Sequence, residues 1–206
     1  MISPKQKVAA TVLSLILGAL AAPSATANLV ADPGFELNNG SWLENNWFIN
    51  SGQGVHSGVN AIGTGCNHVT DFSCTLSQTL STTPGTSYDI SFWLYADGLN
   101  GTSTETFPNG LQVSFDGMVV DTILNFPSTN PSATSYTPGG PSTLITIDDV
   151  IATGSSTVLQ FAGYDDPNAI YVDDVSVEAA VPEPATLSLL GLGLAGLAAS
   201  RRRKPN

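Results

Sequence analysis

The chain has 206 residues with 6 Lys+Arg against 17 Asp+Glu, a formal net charge of −11, yet 42% of it is apolar. Every basic residue is terminal (Lys5, Lys7, Arg201, Arg202, Arg203 and Lys204), so residues 28–181 hold 16 of the acids and no Lys or Arg. That middle excludes nucleic acid and anionic membrane surfaces as partners, since both need cations to meet phosphate, and its 16 aromatics exclude a disordered chain.

Residues 1–27 begin with Lys5 and Lys7, continue as an apolar run from Val8 to Ala22, and end in Ala25-Thr26-Ala27. This is the pattern of a cleaved secretory signal, with the mature chain starting at Asn28. The alternative, an N-terminal anchor, is disfavoured because the apolar run is short for a span. Export places Cys66 and Cys74, the only two cysteines, where pairing is favoured over free thiols or metal ligation. Closing so short a loop contributes about 2–3 kcal/mol in the chain-entropy model.

From Trp47 onward the apolar positions repeat with period two, as in half-buried strands. The clearest stretch is Tyr88 to Ala96, with Tyr88, Ile90, Phe92 and Leu94 on one face and Asp89, Ser91, Trp93 and Tyr95 on the other. The same reading predicts strands at 47–50, 74–80, 111–115, 118–124, 143–150, 157–162 and 170–177. Asn109-Gly110 and Asp116-Gly117 read as turns, the second tight enough for a hairpin. Pro127 to Pro141 holds four prolines and two glycines, which predicts a long surface loop, either functional or a tolerated insertion. No stretch of 28–180 sustains a helical repeat, so the region is predicted to be one all-β sandwich domain.

Residues 181–206 carry Pro182-Glu183-Pro184, an apolar stretch from Ala185 to Ala199, and a basic end at Arg201, Arg202 and Arg203. As a helix over about 185–200 the stretch reaches only about 22 Å against a hydrocarbon core of about 30 Å. The basic end would stay on the cytoplasmic side and leave the domain outside. In the order of these three parts the tail closely resembles the PEP-CTERM sorting signal. That resemblance implies recognition by an exosortase-type protease, transient inner-membrane anchoring, and release toward the cell surface or matrix.

The ends of the domain carry a second resemblance. Asn28-Leu29-Val30-Ala31-Asp32-Pro33-Gly34-Phe35-Glu36 and Ala169-Ile170-Tyr171-Val172-Asp173-Asp174-Val175-Ser176-Val177 look like the first and last strands of galactose-binding-like jelly rolls, the fold of many carbohydrate-binding modules. Leu76 to Leu80 and Pro84 to Phe92 resemble the central strand pair. The family implies a structural calcium joining the two ends, through positions that fall here on Glu36 and Asp173. Strand alternation favours Asp173 over Asp174, because Asp173 shares its face with Val175 and Val177. Calcium suits carboxylate oxygens and is available outside the cell; the other reading is that both acids are merely solvated.

Chemistry on the remaining residues is sparse. A glycosidase needs two carboxyls about 5–10 Å apart, but so many acids make a chance pair unavoidable. His56 and His68 are the only candidate imidazole bases, and neither accompanies a Gly-x-Ser-x-Gly elbow. The chain therefore reads as non-catalytic. Binding is the better reading: sugar rings stack on aromatics while carboxylates and amides meet their hydroxyls. Trp93 and Tyr95 with Asp89 are the candidate ligand-binding residues if their face is exposed, and core filling is the alternative. The expectation is an exported protein that binds saccharide of the exopolysaccharide or biofilm, or else a purely structural acidic surface protein associating through calcium without a specific glycan.

Overall fold

The computed structural model describes residues 26–66, 71–96, 109–126, 142–165, 168–181 and 193. The expected leader at 1–25, the loop at 127–141, and the tail with Pro182, Glu183, Pro184, Arg201, Arg202 and Arg203 lie outside them. Among the described residues no helix is long and apolar enough to cross a membrane. Ala27–Ala180 form one compact unit.

Among the described residues ten strands make up that unit: β1 (Leu43–Asn45), β2 (Phe48–Asn50), β3 (Ala61–Thr64), β4 (Cys74–Ser81), β5 (Ser87–Ala96), β6 (Asn109–Phe115), β7 (Met118–Leu124), β8 (Thr143–Ile151), β9 (Ser156–Asp165) and β10 (Ile170–Ala179). They form two five-stranded sheets, the first in the order β1-β4-β9-β6-β7 and the second β2-β3-β10-β5-β8. Every pairing is antiparallel. The chain changes sheet at most of its turns, which makes the unit a jelly-roll sandwich.

Alternation explains the packing. Tyr88, Ile90, Phe92 and Leu94 on β5, Leu111, Val113 and Phe115 on β6, and Leu159 and Phe161 on β9 all turn inward and are buried. Phe92 meets Phe161 edge-on across the sheets, with centroids 5.0 Å apart. Phe35 and Trp42 extend this line of rings. Each such side chain contributes about 1.5–3 kcal/mol on burial.

Asp116 and Gly117 do form the β6–β7 hairpin turn, both with positive φ (57° and 76°), as a two-residue turn of this hand requires. Asn109 and Gly110, also read as a turn, open β6 instead. The Asn109 amide is spent on a long-range clamp, accepting from Phe126 N–H at 2.7 Å and donating to Phe126 carbonyl at 2.9 Å. β3 escaped the sequence reading because its short Ala-Ile-Gly-Thr run is buried on both faces and so shows no alternation.

The opening segment is bent, with left-handed φ at Asp32 and Phe35, yet it lies along the last strand. Leu29 N–H donates to Val177 carbonyl and Val175 N–H to Pro33 carbonyl, each at 2.9 Å. The buried Gln78 holds the same segment from inside: it accepts from Ala31 N–H at 2.7 Å and donates to Ala31 carbonyl at 2.9 Å.

Candidate functional site

The disulfide Cys66–Cys74 is formed. Asp89, Trp93, Tyr95 and Asp173 fall on the second sheet, and Glu36 on the opening segment. Asp89 and Trp93 lie on the sheet's outer face, each half-buried. The Trp93 ring is stacked under the His56 imidazole, with centroids 3.7 Å apart and planes at 10°, so one of its faces is already occupied. Asp89 accepts from Asp149 N–H at 3.0 Å, at the point where the β5–β8 register slips.

Tyr95 is only 6% exposed and so is not presented to solvent. It packs with Ala169 and Tyr171 in a small satellite cluster. Residues 51–60 press on its neighbour Tyr171: Gln53 accepts from the Tyr171 hydroxyl at 3.1 Å, and a Cβ on Gly54 would stand 2.2 Å from Tyr171 Cβ. Backbone this close admits only glycine. The alternation placed these aromatics on one face correctly, but a loop distant in sequence takes one side of the Trp93 ring through His56.

That loop is held by the acids expected to bind calcium. Glu36 Oε1 accepts from Val59 N–H at 2.7 Å and Asn60 N–H at 2.9 Å. Asp173 Oδ2 accepts from His56 N–H at 2.6 Å and Ser57 N–H at 3.1 Å, and its Oδ1 accepts from Asp174 N–H at 2.7 Å. Asp174 takes His56 Nδ1 at 2.7 Å and Ser57 Oγ at 2.8 Å. The bulge between Asp173 and Ser176, with Asp174 at φ 47°, lets both neighbouring acids reach the same loop.

Asp173 has no exposed surface. Desolvation pushes its carboxyl up to about 6, outweighing the pull of the His56 and Ser57 N–H groups, while Asp174 adds repulsion. Glu36 and Asp173 do come together around Gly34, where an added Cβ would stand 3.8 Å from Glu36 Cγ, 3.6 Å from Asp173 Oδ1 and 3.3 Å from Asp174 Oδ1. The Asp173 and Asp174 oxygens beside Gly34, with no Lys or Arg in 28–181, suit calcium in charge and donor type, whereas Glu36 presents Cγ there and turns Oε1 to the Val59 and Asn60 N–H groups. These acids do not supply a full ligand set: among the described residues no three His, Cys, Asp or Glu side chains are arranged to hold a metal. Backbone carbonyls and water would complete the shell.

The outer face of the first sheet went unnoticed in the sequence. Strand register aligns Leu43, Ser77, Gln160, Ser114 and Val119 in one row across all five strands, and Asn45, Thr75, Ala162, Gln112 and Thr122 in the next. Thr75, Ser77, Gln112, Ser114 and Gln160 are half-exposed, and neither row contains a carboxylate. A third row carries Tyr164 beside Gly110, where an added Cβ would stand 2.7 Å from the ring. Phe72 meets Tyr164 edge-on at 5.2 Å. The signal was present as polar alternation in β4, β6 and β9, but hydroxyl and amide residues on exposed strand faces are too ordinary to stand out without the register that aligns them.

A jelly-roll sandwich joined to an export-type tail is the class these features define. Residues 180–204 match the PEP-CTERM protein-sorting motif, so the chain carries that signal, which implies export, membrane-anchored sorting and processing by an exosortase in general. A search of curated proteins finds no match. Among solved structures, the chain is similar to TmCBM61 in complex with β-1,4-galactotriose (17% identity, 75% of this chain, 100% of that chain, TM-score 0.49). It is also similar to the C-terminal family 22 carbohydrate binding module of Clostridium thermocellum Xyn10B (14%, 77%, 98%, 0.48) and to a Podospora anserina GH26-CBM35 β-(1,4)-mannanase (12%, 77%, 28%, 0.47).

Proposed function

We propose that this chain is an exported, non-catalytic protein of the cell surface or extracellular matrix that binds an uncharged saccharide of the exopolysaccharide on the outer face of its first sheet. The observation that carries the reading is the pair of uncharged rows, with Thr75, Ser77, Gln112, Ser114 and Gln160 on their central strands and Leu43 and Val119 at the edges, on a domain otherwise bearing 16 acids and no Lys or Arg. Hydroxyls and amides both donate and accept, as sugar hydroxyls require, and a domain of this charge repels anionic glycans. Five strands span about 19 Å across the rows at about 4.8 Å per step. Sorting by the tail would deliver the domain to where such polymers lie, and calcium between Glu36 and Asp173 would support the fold rather than the contact.

The test is affinity electrophoresis of the exported chain in gels containing neutral galactan, xylan, mannan or glucan. Retardation by at least one polymer is expected. Gln112→Ala with Gln160→Ala should abolish it, while Trp93→Ala should leave it intact. Loss with Trp93→Ala alone would move the site to the second sheet. No retardation by any polymer would overturn saccharide binding and favour a structural acidic surface protein. Mass spectrometry of native surface material should find chains beginning at Asn28; a purely cytoplasmic pool would refute the localisation.

A further inference from the structure

Among the described aromatics outside the buried clusters, which include Phe48, Trp93 and Tyr164, Phe72 alone has a left-handed backbone. It belongs to neither buried hydrophobic cluster, it is half-exposed, and its backbone is left-handed at φ 55°. A bulky side chain avoids that conformation unless its surroundings impose it. Phe35, which shares it, is explained by burial at the centre of the core. Phe72 has no such explanation.

What imposes the conformation is the tether around it. Cys74, two residues on, is buried at the start of β4 and bonded to Cys66. Asn45 Nδ2 donates to Ser73 carbonyl at 3.0 Å, and Ser73 N–H donates to Asp71 Oδ1 at 3.2 Å. All three constraints act on backbone or on neighbouring side chains, and none covers the Phe72 ring. The half-exposed ring meets Tyr164 edge-on, in the row beside the uncharged ones. Tyr164 in turn lies across Gly110, where any Cβ would displace it.

We propose that Phe72, backed by Tyr164 and positioned by the Cys66–Cys74 bridge, is the specificity-determining aromatic of the saccharide face. This rests on the reading of the first sheet as a saccharide site. The ring would stack on the apolar face of one sugar unit while Gln112 and Thr75, in the adjoining row, meet the hydroxyls of the next. An aromatic platform at one end of a polar row fixes which sugar face is accepted, which the flexible amides alone do not.

The experiment titrates the exported chain with the neutral polysaccharide that retards it most. Phe72→Ala should weaken binding at least tenfold, and Phe72→Trp should retain it. The new tryptophan should change its emission on titration, a response that a purely structural residue would not give. Cys66→Ser with Cys74→Ser, measured below its melting temperature, should weaken binding as Phe72→Ala does. Full affinity in Phe72→Ala, together with loss in Gln112→Ala, would overturn the role of Phe72 and leave the saccharide reading standing. If no polysaccharide binds the wild type, both fall. A Phe72→Trp emission unmoved by a polymer that does bind would also overturn the proposal.

Discussion

Gly110 shows how a single position can serve packing and site at once. It sits in the interior of a sheet, where glycine is normally unfavourable, because the Tyr164 ring occupies the space of its missing side chain. Gly110→Ala should therefore destabilise the domain by about 1–3 kcal/mol through overpacking, and urea unfolding will measure it. A loss below about 0.5 kcal/mol would mean that Tyr164 moves aside freely. Asp116 is a second case, in which an exposed acid has a defined partner. Its carboxyl is held below the ordinary 3.8 by the Thr153 hydroxyl first and the Thr153 N–H second. A depressed folded value stabilises the protein above the unfolded value and loses that contribution as pH falls through the folded one. The stability gap between wild type and Asp116→Asn should be constant above about pH 5 and close on acidification below about pH 4. A gap that is flat across the whole range would show that the Thr153 contacts contribute nothing.

Strands and the segments that cross them set the next level. The opening segment is too bent to be a regular strand, so its attachment depends on Gln78 from β4 and on the edge of β10. Gln78→Leu preserves volume but removes both hydrogen bonds to the Ala31 backbone, a loss of about 0.5–1.5 kcal/mol for each. Protease cleavage near Asn28–Ala31 should accelerate with it, and unchanged cleavage would locate the attachment elsewhere. On the second sheet, residues 51–60 place His56 on one face of Trp93 and Gln53 and Gly54 against Tyr171, while Asp89 and Trp93 stay half-buried. The period-two pattern of β5 gave the correct inward and outward faces, but it contained no information about a loop that reaches Trp93 and Tyr171 from more than 30 residues away.

Charge acts on the molecule as a whole. With 16 acids and no Lys or Arg across 28–181, the folded domain repels itself, and screening should raise its melting temperature with any salt. Calcium ligation at Glu36 and Asp173, as proposed, would be separable from screening only at matched ionic strength. A cation binding the folded state alone adds about 2.7 kcal/mol at a hundredfold excess over Kd. We expect calcium to raise the wild-type melting temperature beyond sodium, and the excess to disappear in Glu36→Gln and Asp173→Asn. The excess is the readout, because Asp173→Asn also disturbs three N–H contacts. Identical responses to the two salts would remove calcium from the account and leave these acids as clamps on residues 51–60.

Composition and period together determined the class of this protein: the acidic middle without cations, the alternating strands, the Asp116-Gly117 hairpin and the tail are all local patterns, and local patterns survive in a one-dimensional reading. The lateral order of the strands is not local. Only the tertiary structure decided that Ser77, Gln160 and Ser114 stand in one row, since they come from strands separated by tens of residues. It also decided that Asn109-Gly110 lies inside a strand, because Phe126 and Tyr164 supply the partners that a turn would otherwise lack. Burial of Tyr95 was decided the same way. A side chain's face follows from its own strand, but what covers that face depends on long-range packing that alternation does not encode.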